Sequence, residues 1–139
     1  MNKTRVLITV AGIAFILTMM ILIGNPPTTG AVEKCDIVTI RGRDNIEPVM
    51  LTVTKSDCVV WMNWTREQDV LLSFKEGEKC VRATKTPVGF KMDVPTGCYL
   101  AGWLSYGQTS SLVFTEAGTY EYEVQFKVGG SNRGTIIVK

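Results

Sequence analysis

Short runs of β-type residues, separated by turn residues, fill this 139-residue chain from about residue 32 onward. The runs are rich in Val, Ile, Thr, Tyr and Trp, and several alternate apolar with polar side chains, as half-buried strands do. The chain contains no convincing amphipathic helix or repeat. Seven strands in about 105 residues suit a two-sheet sandwich. The predicted strands are 36–41, 49–54, 58–63, 70–74, 110–114, 119–126 and 134–138.

The stretch at about 75–107 interrupts the strand pattern. It is rich in glycine and proline, and it contains both Cys80 and Cys98. We interpret it as an elaborated loop inserted in the sandwich, because loops of this length are usually functional or pinned. A disulfide between Cys80 and Cys98 would pin the loop and contribute about 3 kcal/mol on the chain-entropy model.

An apolar run precedes the predicted sandwich. Residues 6–24 carry no charged side chain, and as a helix they would span about 28 Å, enough to cross a bilayer. Lys3 and Arg5 precede the run, and no basic residue follows it until Lys34. The positive-inside rule therefore predicts a cytoplasmic N-terminus and a domain on the extracytoplasmic side, whether periplasmic or extracellular.

Two interpretations of this run stay open. Its length favours a retained transmembrane anchor, while Thr29 and Ala31 form a passable cleavage pattern for a signal peptide. In either case Asn-Pro-Pro-Thr-Thr-Gly would end an apolar helix and begin a short tether. The predicted organisation is an anchor or signal segment at 1–24, a linker at 25–31 and a folded domain at 32–139.

The charge balance of the predicted domain excludes a nucleic-acid partner. Removing Lys3 and Arg5 from the 15 basic residues leaves 13, which equals the 13 acidic residues. A nucleic-acid-binding surface needs a basic face to neutralise phosphates, and neither the total nor the scattered order of these charges supplies one.

Four cysteines, Cys35, Cys58, Cys80 and Cys98, lie in the part of the chain predicted to be exported. An oxidising compartment favours disulfides, and four cysteines permit three pairings. None of them belongs to a C-x-x-C pattern, so the sequence does not support a redox dithiol, a covalent haem or a zinc knuckle. We predict that all four form structural disulfides.

Catalytic chemistry is not supported either, since the chain contains no histidine. Ser-His and Cys-His nucleophilic sites cannot be assembled without one. Glu67 and Asp69 stand in a polar turn beside Arg66 and Gln68, where carboxylates are solvated. The prediction is that the protein is not an enzyme and carries no cofactor.

Several stretches, in their order and spacing, resemble cupredoxins of the plastocyanin and amicyanin type. Residues 46–53 and 56–63 are similar to the second and third strands of that family, 106–122 to its last hairpin with a Gly-Thr-Tyr turn, and 134–138 to its closing strand. The resemblance implies an all-β fold, a two-sheet Greek-key β-sandwich. It also implies that the first and third strands run side by side in parallel, which would pair Cys35 with Cys58.

Cupredoxins hold copper with a histidine after the third strand and with a cysteine, a second histidine and usually a methionine after the tyrosine strand. The resemblance places Asp69, Val124 and Lys127 at the first three of these positions, and the methionine's place falls near Gly130 or Asn132. Blue-copper geometry needs two imidazoles and a thiolate. We therefore predict a degenerate site without metal.

Exposed aromatic side chains are the remaining candidates for function. Trp64 follows a predicted strand, and Trp103 and Tyr106 fall in the inserted loop, so these three could form a docking patch for a protein partner. The alternative is that they pack the loop onto its own sandwich. Asn63-Trp64-Thr65 is also a glycosylation sequon, which matters only in a host that glycosylates exported proteins.

Together these features predict a membrane-anchored, extracytoplasmic cupredoxin-like module without type 1 copper, a binding or structural component of a membrane or surface assembly. The membrane contact is through residues 6–24. The first alternative is a metal-binding or electron-transfer protein in the cupredoxin manner, such as an accessory subunit of a respiratory complex, with copper bound by unexpected ligands or supplied with a partner chain. The second is a thiol redox protein.

Overall fold

A computed structural model describes residues 34–139 as eleven strands and one short helix arranged in two sheets. The predicted membrane segment at 6–24 and the linker at 25–31 lie outside the described residues. Within residues 34–139 no helix is long and apolar enough to cross a membrane. The elements are β1 (Cys35–Gly42), β2 (Asn45–Glu47), β3 (Met50–Val53), β4 (Cys58–Asn63), β5 (Val70–Phe74), α1 (Gly77–Ala83), β6 (Thr84–Val88), β7 (Phe90–Asp93), β8 (Cys98–Ala101), β9 (Thr109–Phe114), β10 (Gly118–Phe126) and β11 (Ser131–Val138).

All seven strands predicted from the sequence are confirmed, as β1, β3, β4, β5, β9, β10 and β11. The stretch at 75–107 differs from the prediction, because it contains α1, β6, β7 and β8 rather than an irregular loop. Strand β6 was not predictable from alternation, since it contains Pro87 and most of its residues are exposed. Strands β7 and β8 have four residues each, too few to show a period.

The two sheets form the predicted all-β sandwich. The first sheet has the order β2-β1-β4-β9-β6, and the second has the order β3-β11-β10-β5-β8-β7. Two pairs of neighbouring strands are parallel, β1 with β4 and β11 with β3, while the other pairs are antiparallel. Inward-facing residues of both sheets build one core.

Trp61 lies at the centre of this core, in the middle of β4. It is fully buried, and its ring meets those of Phe74, Phe90 and Tyr122 edge-on at centroid distances of 5.7, 5.7 and 5.6 Å. Such edge-to-face pairs add to the stabilisation from apolar burial. The aromatic cluster therefore joins β4 of one sheet to β5 and β10 of the other.

One of the two predicted disulfides is present. Cys35 and Cys58 stand opposite each other at the start of the parallel strands β1 and β4, and they are bonded. The predicted Cys80–Cys98 bridge is absent, and both residues are free thiols. Cys80 is buried in the core cluster with Tyr99, whereas Cys98, next to Tyr99 on β8, points to the opposite face of that strand because side chains alternate.

Candidate functional site at the loop end of the sandwich

Three segments meet at one end of the sandwich, which we call the loop end. They are 64–69 between β4 and β5, 102–108 between β8 and β9, and 127–130 between β10 and β11. They meet because β4, β8 and β10 finish here while β5, β9 and β11 begin here, as shown by the pairing of Phe126 with Val70. The topology thus gathers residues that are far apart in sequence.

Asn63, the last residue of β4, is fully buried and links two of these segments. Its side-chain amide donates to the carbonyl oxygens of Gln68 at 3.0 Å and Leu104 at 2.7 Å. Its Oδ1 accepts from the backbone N–H and the hydroxyl of Thr65, at 2.8 and 2.6 Å. Because a buried amide without partners would be costly, this set of bonds fixes the local chain path.

The Asn63 sequon is accounted for by the same bonds. The nitrogen that a glycan would modify is buried and already donates to two carbonyl oxygens. The sequence pattern at Asn63-Trp64-Thr65 therefore reflects a structural role of the asparagine and the threonine in the folded domain.

Asp69 and Lys127, assigned to the two histidine positions, lie together at the loop end. Lys127 Nζ is 2.9 Å from Asp69 Oδ2, and the hydroxyl of Ser105 donates to Asp69 Oδ1 at 2.8 Å. The backbone N–H of Lys127 also donates to the carbonyl oxygen of Asp69 at 3.1 Å. One carboxylate therefore contacts side chains from both of the other segments.

The electrostatics of this cluster favour the ionised carboxylate. The hydrogen bond from Lys127 lowers the pKa of Asp69 below its ordinary value, and the bond from Ser105 lowers it further. A carboxylate that accepts bonds from an ammonium and a hydroxyl is stabilised in its charged form. The positive charge of Lys127 is thus balanced within the protein.

Val124 and the 127–130 turn contain the other positions that the resemblance assigns to copper ligands. Val124 is fully buried in the core on β10, three residues before Lys127. The turn is held by Arg43, whose guanidinium donates to the carbonyl of Gly129, and by Asn132, whose amide donates to the carbonyl of Arg43 at 2.7 Å. Asn132 therefore binds backbone from the β1–β2 turn.

Solved structures of amicyanin share this architecture. The chain is similar to an oxidised amicyanin with methionine replaced by lysine (TM-score 0.52, 23% identity, 76% of this chain and 82% of that chain). It is similar to a copper(I) amicyanin with methionine replaced by glutamine (TM-score 0.52, 24% identity, 76% of this chain and 82% of that chain). It is also similar to an oxidised amicyanin with methionine replaced by leucine (TM-score 0.51, 25% identity, 74% of this chain and 80% of that chain). The chain has a cupredoxin fold. No protein-family model and no curated protein matches its sequence.

The donor set at the loop end does not fit the copper of a cupredoxin. The ammonium of Lys127 has three donors and no lone pair, and the side chain of Val124 has no ligand atom at all. Of the three assigned residues only Asp69 offers ligand oxygens, and these are engaged by Lys127 and Ser105. Within residues 34–139, no group of three His, Cys, Asp or Glu residues is placed to hold a metal ion.

Two of the three aromatic candidates come together at the loop end. The rings of Trp64 and Tyr106 lie 4.9 Å apart between centroids at an interplanar angle of 36°, and the residues are 44% and 43% exposed. Trp103 is also half exposed, but it lines a different groove with Leu71 and Leu100 on the outer face of the second sheet. The predicted three-residue patch is therefore a pair at the loop end and a separate tryptophan.

The sequence analysis did not predict the hydrogen bonds that Ser105 and Asn63 make at this site. Ser105 lies 36 positions from the carboxylate it binds, so no local pattern reveals the bond. Asn63 carries a usable signal, because an asparagine at the end of a predicted buried strand needs hydrogen-bond partners.

Proposed function

We propose that this protein is a membrane-anchored, extracytoplasmic cupredoxin-like module that works without type 1 copper. Its role is that of a binding or structural component in a membrane or surface assembly, and it has no catalytic step of its own. The observation that carries the proposal is the ion pair between Asp69 and Lys127, because two positions that the resemblance assigns to copper ligands hold opposite charges that neutralise each other.

The binding role is supported by the exposed pair formed by Trp64 and Tyr106. Tryptophan and tyrosine supply large contact areas with few rotatable bonds, and they are enriched at the centres of protein interfaces. Here both rings lie on segments that hydrogen bonds to the buried Asn63 hold in place, through Thr65 and Leu104. A partner would therefore meet a surface that is already ordered.

The membrane association is supported by the uncharged run at 6–24 and by the basic residues before it. An integral protein stays with the membrane fraction through an alkaline carbonate wash, and an extracytoplasmic domain is open to protease added from outside. Recovery of a soluble protein with its N-terminus near Val32 would show instead that the segment is a cleaved signal.

Site-specific photo-crosslinking tests the binding role. A photoreactive amino acid replaces Tyr106 in the full-length protein in its own membranes, and a matched variant carries it in place of Val94. Val94 is 82% exposed in the β7–β8 turn, at the end of the sandwich opposite the loop end. A discrete crosslinked product from position 106 and none from position 94 is expected. Equal labelling from both positions, or none, would contradict the proposal.

A further inference from the structure

The carboxylate of Asp69 stands between the two segments that carry the exposed aromatic pair. Trp64 begins the 64–69 segment and Asp69 ends it, while Ser105 immediately precedes Tyr106 in the 102–108 segment. The 2.8 Å hydrogen bond from Ser105 Oγ to Asp69 Oδ1 therefore joins the chain next to one ring to the segment that holds the other.

The two rings are positioned mainly through the segments that carry them. Both are close to half exposed, so packing against the core does not fully determine where they lie. On the backbone, the N–H of Trp64 donates to the carbonyl of Ile40 at 2.7 Å, and the N–H of Gly107 donates to the carbonyl of Asn63 at 2.7 Å. The second of these bonds joins the two segments beside Tyr106, and the side-chain bond from Ser105 to Asp69 adds a further link on the other side of that residue in the chain.

The second oxygen of Asp69 keeps that carboxylate in place. Lys127 binds Oδ2 at 2.9 Å, and its backbone N–H binds the carbonyl of Asp69 at 3.1 Å. With one oxygen held by the 127–130 turn, the other points to Ser105. Hydrogen bonds to a charged acceptor are stronger than neutral ones, so the charge on Asp69 strengthens both links.

We propose that Asp69 is a positioning residue that sets the aromatic pair of Trp64 and Tyr106 in one geometry by joining the three loop-end segments through a single carboxylate. At a position that the resemblance to cupredoxins assigns to a copper ligand, this chain uses a carboxylate to order a contact surface. The inference rests on the proposed binding function for its purpose, and its geometry is testable without any partner.

The test compares four forms of the full chain in detergent micelles by NMR: the wild type, Ser105→Ala, Asp69→Ala and Glu76→Gln. The two readouts are the nuclear Overhauser effects between the rings of Trp64 and Tyr106 and the exchange rate of the Gly107 amide. Glu76→Gln is the matched control, since it breaks an exposed 2.6 Å ion pair with Lys79 on α1, away from the loop end.

Ser105→Ala and Asp69→Ala should both weaken the contacts between the two rings and speed exchange of the Gly107 amide about fivefold, the effect expected from one lost hydrogen bond. Exchange of the Thr135 amide, which donates to Val49 in the second sheet, should not change, and Glu76→Gln should behave as the wild type. Unchanged ring contacts and Gly107 exchange in Asp69→Ala, with the fold intact, would overturn the inference.

Photo-crosslinking from position 106, compared between the wild type and Asp69→Ala, separates the positioning role from the proposed binding function. If Asp69→Ala loosens the rings and also reduces crosslinking from position 106, both proposals hold. If the rings loosen but no crosslink forms even in the wild type, the positioning role stands and the proposed binding function fails. If crosslinking is strong and Asp69→Ala leaves the rings ordered, the binding function stands and the positioning role is wrong.

Discussion

Lys127 Nζ lies 2.9 Å from Asp69 Oδ2, and these two residues occupy the positions that the resemblance to cupredoxins assigns to the histidine ligands. They are 58 residues apart in the chain, and the fold brings them together at the loop end. The two assigned positions thus hold a protein ammonium paired with a protein carboxylate.

This pair predicts a pH-dependent contribution to stability. Since the hydrogen bond from Lys127 is the largest cause of the lowered pKa of Asp69, Lys127→Met should raise that pKa towards its ordinary value. A lowered folded-state pKa stabilises the fold above the ordinary carboxyl range, and this stabilisation is lost as the pH falls through the lowered value.

NMR titration of the Asp69 carboxyl carbon measures the pKa, and urea unfolding at neutral and acid pH measures the free energy of unfolding. At neutral pH the free energy of unfolding of the wild type should be slightly larger than that of Lys127→Met, and the difference should disappear at acid pH. An Asp69 pKa that does not respond to Lys127→Met would show that the ion pair is not formed in solution.

The two cysteines outside the disulfide should differ in reactivity. Burial raises the pKa of the Cys80 thiol to about 12, so little thiolate forms at mildly alkaline pH, whereas Cys98 is partly exposed. Iodoacetamide should alkylate Cys98 in the folded protein and Cys80 only after denaturation. Mass spectrometry of non-reduced peptides checks this, and a peptide pair joined through Cys80 and Cys98 would restore the bridge expected from the sequence.

A glycine in β11 should be intolerant of any side chain. A Cβ at Gly134 would clash with the hydroxyl group of Tyr122, whose ring is buried in the core. Gly134→Ala should therefore cost about 1–3 kcal/mol in the free energy of unfolding, as overpacking does. Gly42→Ala is the control, because nothing lies within 4 Å of its Cβ, and it should change stability by less than about 0.5 kcal/mol. Equal effects in denaturant unfolding would contradict this packing.

The strands were predictable where burial imposes a period. In β10 the buried residues Tyr120, Tyr122 and Val124 alternate with more exposed glutamates, and the sequence alone identified this strand. In β6 the same reasoning failed, because an exposed edge strand containing Pro87 has no apolar alternation to detect. Short edge strands are therefore the part of this fold that a sequence pattern cannot reveal.

The candidate site was predictable only in part, for a similar reason. Spacing relative to a known family drew attention to Asp69 and Lys127, but the contact between them is set by the meeting of distant loops. Nothing in the sequence indicated a role for Ser105, since 36 positions separate it from Asp69, the residue to which it donates a hydrogen bond. The proposed bridge of Cys80 was wrong because closeness in sequence does not show to which face of β8 a cysteine points.

Restoring the ligands tests whether the three positions converge as they do in copper-binding cupredoxins. The triple variant Asp69→His, Val124→Cys and Lys127→His supplies two imidazoles and a thiolate. It should gain affinity for copper(II) over the wild type, while the single variant Lys127→His should gain little because one ligand does not make a site. A triple variant that folds yet gains no copper affinity would show that the assigned positions are misplaced.

The central claim is that this cupredoxin fold works without copper of the blue type. The most direct measurement is equilibrium dialysis of the purified wild-type protein against copper(II) and then against a weak chelator, followed by metal analysis and an absorption spectrum. The account predicts a colourless protein that retains no stoichiometric copper and whose melting temperature is unchanged by the metal. An intense blue band, or about one copper per chain retained after dialysis, would contradict the account and favour electron transfer.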